Sequence, residues 1–137
     1  MAEKILIVGA DGQTLAVLDE VLPNMCYQIL TATDGTQALF QFGLAQPDLV
    51  IVEVPPSDPG IWETLRRIRA LSGIPIIALG LPDDTQTEVR SLDYGADHYL
   101  EKPFGVLELG ARIRSLIRRT RQLDLPPGNL HSSSLVH

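Results

Sequence analysis

Apolar and polar positions fall in alternating blocks along the chain. KILIV (4–8), DLVIVEV (48–54) and IPIIAL (74–79) are nearly unbroken apolar runs, the pattern of strands covered on both faces. YQILTAT (27–33) is more polar and fits a strand nearer an edge, and HYLE (98–101) makes a short fifth. Between these runs apolar residues recur three and four apart: Leu15, Leu18 and Leu22; Leu39 and Phe42; Ile61, Leu65 and Ile68; Val106, Leu109, Ile113 and Leu116. Each set lines one face of a helix. The segment near 83–94 is the weakest helix, with little beyond Val89 and Leu92 to bury. Strands alternating with helices predict an α/β domain, a five-stranded parallel sheet with five helices on both faces. In such sheets chemistry sits outside the carboxyl ends of the strands. Here those ends fall near residues 9–14, 53–60, 80–84 and 102–104.

Length and composition narrow the class. The chain has 137 residues, 45% of them apolar and 20% charged, enough for one domain with its own core. Net charge is −6, yet RIRSLIRRTR (112–121) holds five of the eleven basic residues. The rest is strongly acidic and a poor nucleic-acid binder by itself. The basic run reads as a solvated helix face with cations near its carboxyl end. Cys26 is the single cysteine and is expected to fill a small place in the core; no internal disulfide is available, which points to a reducing compartment. With no membrane-length apolar run and no signal-peptide pattern, a cytoplasmic protein is expected. His98, His131 and His137 lack metal-ligand spacing, and no Ser-His-Asp arrangement is present, so no metal, cofactor or enzymatic activity is expected. The tail QLDLPPGNLHSSSLVH (122–137) reads as a linker after a domain ending at residue 121.

The stretch IVGADGQT (7–14) poses the main ambiguity. Gly9 and Gly12 after a strand, with Asp34 ending the next, partly match a dinucleotide-binding loop. Against this, Leu15 replaces the third glycine, and Asp11 puts a negative charge where a pyrophosphate would sit. No Gly-Lys-Ser/Thr follows, which excludes a P-loop.

Later segments decide between the readings. KILIV, ATDGTQAL (32–39), PDLVIVEV (47–54), LRRIR (65–69), PIIAL (75–79), GADHYLEKPF (95–104) and ELGARIRSLIRR (108–119) arrive in an order that resembles the receiver domain of two-component response regulators. The resemblance runs from about Lys4 to Arg121 and is nearest to the OmpR/PhoB-like subfamily, whose receiver precedes a winged-helix DNA-binding domain. It implies a flavodoxin-like (βα)5 fold and phosphoryl transfer to an aspartate ending the third strand. It also implies Mg²⁺ held by an acidic pair after the first strand, a Ser or Thr after the fourth, and a lysine after the fifth.

Carried over residue by residue, most of those roles fail. The acidic pair falls on Gly9 and Ala10, with Asp11 adjacent. The acceptor falls on Glu53, one methylene longer than aspartate, and reacting geometry is sensitive to about an ångström. The hydroxyl position falls on Gly80. Lys102 is retained. The resemblance therefore implies a pseudo-receiver that is not phosphorylated. Glu53 could reach Lys102 and stand in for the phosphorylated state; as a partly exposed pair it would contribute under ~1 kcal/mol. Tyr99 occupies the family's switch-aromatic position without its hydroxyl partner, and is expected to pack against the last two helices. Trp62 is expected to be partly buried.

The family's active receivers pair through the fourth helix, fifth strand and fifth helix. Asp97, Glu108, Arg112 and Arg119 match charged positions of that surface, whereas Glu88 and His98 depart from it. A homodimer through this face is expected, with DNA reached only through an output domain outside this chain. His98 is placed near Arg112, and Glu88 near Glu108. Three rivals stand beside this reading: a sensor of a small ligand or protein partner in the vacated pocket, a nucleotide-dependent protein, and a residual receiver phosphorylated at Glu53 or Asp58.

Overall fold

The computed structural model describes residues 2–123. Its elements follow in chain order as β1 (Lys4–Val8), α1 (Gly12–Asn24), β2 (Gln28–Ala32), α2 (Gly35–Ala45), β3 (Leu49–Glu53), α3 (Gly60–Leu71), β4 (Ile76–Gly80), α4 (Thr85–Asp93), β5 (His98–Glu101) and α5 (Val106–Leu123). All five strands are parallel, in the order β2-β1-β3-β4-β5. The expected flavodoxin-like fold is therefore present.

Hydrophobic patterning accounts for this layering. Every residue of β3 and β4 is buried, while the more polar β2 lies at an edge. Ile5, Ile7, Leu49 and Ile51 face Leu18 and Leu22 of α1 and Leu109, Ile113 and Leu116 of α5. Leu6, Val8, Val50 and Val52 face Ala38 of α2 and Ile61, Leu65 and Ile68 of α3. Alternate residues of one strand thus feed two cores. Strand order reverses between β1 and β3, so a crevice opens beyond Val8 and Glu53, where open α/β sheets hold their sites.

Several side chains depart from the periodic reading. Leu15 is only half-buried, and Thr14 takes the inward place one turn before Leu18. The α5 stripe begins at Leu109, with Val106 exposed. On α4 both Val89 and Leu92 are exposed, at 50% and 43%, and Ser91 is the residue buried. What holds α4 is aromatic and cationic: Trp62 is buried 5.4 Å from Tyr94, Arg90 lies 4.5 Å over Trp62, and Arg66 lies 4.5 Å over Tyr94. Periodicity is blind to such cation–π contacts. Cys26 is exposed with φ +70°, because the chain reverses there between α1 and β2. The last helix continues two residues past the boundary at 121; the remaining linker residues lie outside the described part.

Arg69 joins α3 to the start of β5. Its guanidinium donates to the carbonyls of Gly95 and Ile74 and to the Asp97 carboxylate, which also accepts from the Ile76 amide. Gly95, at φ +120°, leaves room for the Arg69 stem, 2.9 Å from where a Cβ would stand. Among the described residues no helix is long and apolar enough to cross a membrane. Arg69→Ala is expected to lower stability by about 2 kcal/mol, the loss of several charge-assisted hydrogen bonds, measured by urea unfolding. An unchanged midpoint would show the node to be dispensable.

Candidate functional site

Four strand ends converge on the crevice. Gly9 follows β1 at φ +67°, its amide donating to the Ala32 carbonyl, and a Cβ there would stand 3.0 Å from Ile61 Cδ1. Backbone and neighbour together favour glycine. Asp11 then caps α1: its Oδ1 accepts from the Thr14 amide at 2.7 Å. That bond, then the Thr14 hydroxyl, then the nearby Lys102 charge hold the Asp11 carboxyl below its ordinary value of 3.8.

Glu53 ends β3 and is only 7% exposed. Its Oε1 accepts from the Asp11 amide at 2.7 Å, and its Oε2 accepts from the Thr14 hydroxyl at 3.3 Å and from Lys102 Nζ. Lys102 follows β5, anchored by its own amide to the Gly80 carbonyl at 2.7 Å. Both Glu53 oxygens are thus engaged, and the negative charge is paired inside the protein. The extra methylene carries the carboxylate across the strand ends to the ammonium. Such a pair is not a surface bridge: removing one partner strands a buried charge and costs about 3 kcal/mol. Thr14, absent from the sequence-based site, completes it. The available signal was its place with Leu18 and Leu22 on the inward stripe, where a polar residue needs a partner.

Gly80 and Tyr99 occupy one space. A Cβ on Gly80 would lie 2.2 Å from the Tyr99 hydroxyl oxygen and 2.5 Å from Cζ. The phenol crosses the end of β4 and donates to the Leu81 carbonyl at 2.7 Å. Its ring joins the apolar cluster on the α2–α3 side of the sheet, rather than packing only on the last two helices. Burial, followed by the charges of Asp84, Glu88 and Glu101, raises its pKa above the ordinary 10.0.

The other singled-out residues fall in three places. Asp58 Oδ2 accepts from the Gly35 amide and Oδ1 from the Gly60 amide, so its carboxylate joins the starts of α2 and α3, and these bonds lower its pKa. Asp34 caps α2 through the Gln37 amide. Asp97 is engaged by Arg69, as described above, while remaining 40% exposed. On α5 Arg112 lies 3.5 Å from Glu108 and 3.4 Å from His98 Nδ1, and Arg119 lines a 350 Å³ groove with them. A second groove of 340 Å³ beside the Glu53–Lys102 pair is walled by Gln13, Thr14, Val17 and Phe104.

Divalent-cation chemistry does not fit these residues. Gly9 and Ala10 offer no side-chain oxygen, and one Asp11 oxygen is committed to the helix cap. A hard cation needs several oxygen ligands. The nucleotide reading fails at the same point, because the Asp11 carboxylate sits where a phosphate would meet the α1 amino terminus.

An open parallel sheet in the order β2-β1-β3-β4-β5, with its crevice at β1/β3, defines the flavodoxin-like class of α/β proteins. Within it, this chain belongs to the response regulator receiver domain family, which matches residues 5–114. It is 39% identical over 120 residues to the DNA-binding response regulator MtrA of Mycolicibacterium paratuberculosis, covering 87% of this chain and 53% of that protein. It is 36% identical over 118 residues to the transcriptional regulatory protein KdpE of Staphylococcus aureus, covering 86% and 51%. A probable transcriptional regulator, ycf27 of Cyanophora paradoxa, is 36% identical over 133 residues, covering 97% and 56%. The chain thus spans about half the length of these relatives. A putative response regulator from Chloroflexus aurantiacus superposes with a TM-score of 0.78 at 29% identity, covering 86% of this chain and 99% of that one.

Two outcomes follow from the site. Gly80→Thr is expected to evict the Tyr99 ring and destabilise the domain by roughly 2 kcal/mol, and adding Tyr99→Ala should recover at least about 1 kcal/mol by a double-mutant cycle. Simple additivity would contradict the shared space. Separately, the lowered Asp58 pKa means its stabilisation is complete above the ordinary 3.8 and lost as pH falls through the lowered folded value. Asp58→Asn should therefore flatten the acid limb of the urea-stability profile; an unaltered limb would contradict the assignment.

Proposed function

We propose that this chain is a phosphorylation-independent receiver module of a transcription regulator, held in one conformation by its own side chains. The observation that carries the reading is the engagement of both Glu53 oxygens by Lys102, Thr14 and the Asp11 amide. Phosphoryl transfer needs a free carboxylate oxygen in line with the donor and a cation to neutralise the phosphoryl oxygens. Here the acceptor oxygens are hydrogen-bonded and paired, and the cation ligands are gone. The Glu53 carboxylate places a fixed negative charge against Lys102, where a phosphoryl group would place its own. Tyr99, in the space left by Gly80, is turned inward without a phosphate to trigger it. The names of the relatives support a role in transcription regulation, with DNA contacted by an output domain.

Signal output on this reading is assembly. A homodimer through α4, β5 and α5 is supported by the exposed Val89 and Leu92 and by Glu108, Arg112 and Arg119 along α5. Asp97 contributes from within its own chain, fixing the start of β5 through Arg69. Acetyl phosphate with Mg²⁺ is expected to leave no phosphoryl adduct by intact mass, on the wild type or on Glu53→Asp. Lys102→Met is expected to lose about 3 kcal/mol, and Glu53→Gln with Lys102→Met to regain part of it. A stoichiometric adduct on the wild type, or a neutral Lys102→Met, would overturn the reading.

A further inference from the structure

At the end of the sheet away from Glu53, the starts of β1 and β2 meet the second half of α5. Glu3, Tyr27, Arg114, Ile117, Arg118 and Arg121 line a groove of 210 Å³ there. The arginines are spaced four residues and then three, which puts them on one face of the helix. The chain has seventeen acidic and eleven basic residues, so carboxylates are in excess. Ion pairs among the described residues nevertheless involve only Arg69, Lys102, Arg112 and Arg121. Glu3 is taken by Arg121, and Arg114 and Arg118 have no carboxylate among the described residues. The helix dipole does not account for them. Its effect is confined to the last turn, where Arg121 is the basic residue. Like charges four apart on a helix repel, and Arg114 and Arg118 hold that arrangement uncompensated.

The floor of the groove supplies a second, independent observation. Tyr27 is only 9% exposed, and it packs in the core cluster with Leu22, Ile113 and Ile117. No described residue hydrogen-bonds its hydroxyl, and the charge acting on it is that of Arg114. Burial raises its pKa above the ordinary 10.0, outweighing the Arg114 charge, so the hydroxyl stays protonated and able to donate. A phenol this buried ordinarily has a partner. Here an unused donor and two unused cations border one small groove.

We propose that this groove binds a small dianion of the phosphate class. The Arg114 and Arg118 guanidinium groups match its two charges, and the Tyr27 hydroxyl supplies a neutral donor from the buried side. Size and field both select a small ligand. A volume of 210 Å³ is below the about 300–1,000 Å³ of sites for drug-sized molecules. A polyanion such as duplex DNA would also meet the strongly acidic remainder of the chain, which repels it over a wide area. Bound in the groove, the anion joins α5 to the segment entering β2. The site lies at the opposite end of the sheet from Glu53, so its occupancy does not depend on the acceptor position.

An amide-resolved NMR titration of residues 1–137 with inorganic phosphate at constant ionic strength tests the proposal, with acetate and a DNA duplex as further probes. Saturable shifts are expected at Tyr27, Gln28, Arg114 and Arg118, with acetate at least about tenfold weaker. Arg118→Gln is expected to weaken phosphate by at least about tenfold. Arg67→Gln removes the same charge from an exposed site on α3 and is expected to stay within about twofold of the wild type. Tyr27→Phe is expected to weaken phosphate several-fold while leaving the melting temperature unchanged or raised, because it removes a buried hydroxyl that has no partner. Four results would each overturn the proposal: no saturation, shifts centred on Asp11 and Lys102, equal weakening by Arg67→Gln, or a Tyr27→Phe variant that loses stability but keeps its affinity. A duplex that binds through the same residues more tightly than phosphate would overturn the assignment to a small ligand.

Discussion

The architecture of the strand ends depends on one buried carboxylate. Glu53 is attached to a central strand whose every residue is buried, so its charge cannot be left to water. Three donors from outside β3 meet that demand: the Asp11 amide, the Thr14 hydroxyl and the Lys102 ammonium. Satisfying them fixes the turn after β1, the first turn of α1 and the loop after β5 at once. On the proposed reading, the same contacts occupy the oxygens that a phosphoryl acceptor would use.

Gly80 and Tyr99 show the same logic at the neighbouring strand end. Loss of a side chain on Gly80 leaves a space, and the Tyr99 ring fills it while donating to the Leu81 carbonyl. In a receiver whose hydroxyl residue was present, that ring would have to be elsewhere or move. Here the ring packs into the space beside Gly80 and donates to the Leu81 carbonyl. Gly9 adds a third element: its left-handed backbone and its closeness to Ile61 make a carboxylate there costly to restore. A side chain at Gly9 would thus meet Ile61, and one at Gly80 would meet Tyr99.

The fold was legible because its strands are buried on both faces and its helices carry three- and four-residue apolar spacing, signals that rest on burial alone. The same signal misplaced Val106, Val89 and Leu92; on α4 periodicity cannot distinguish a helix held by its own stripe from one held by arginines over Trp62 and Tyr94. Cys26, expected in the core as a small residue, lies exposed where the chain reverses. Resemblance placed Glu53 and Lys102 at one site, and their contact agrees with it. It could not reveal Thr14, whose role comes from a polar atom turned inward, or the shared space of Gly80 and Tyr99, which depends on a distance. Nor could it show that Asp97 is engaged by Arg69 within its own chain.

On the proposed reading the strand-end conformation is independent of phosphate chemistry. The most direct measurement is an amide-resolved NMR titration of residues 1–137 with Mg²⁺ and then beryllofluoride, following Asp11, Glu53, Leu81, Tyr99 and Lys102. No saturable shift is expected at these amides, and no change in rotational correlation time. Saturable shifts that spread from Glu53 through Leu81 to Tyr99 would contradict it, because they would show a working acceptor site coupled to a movable aromatic ring.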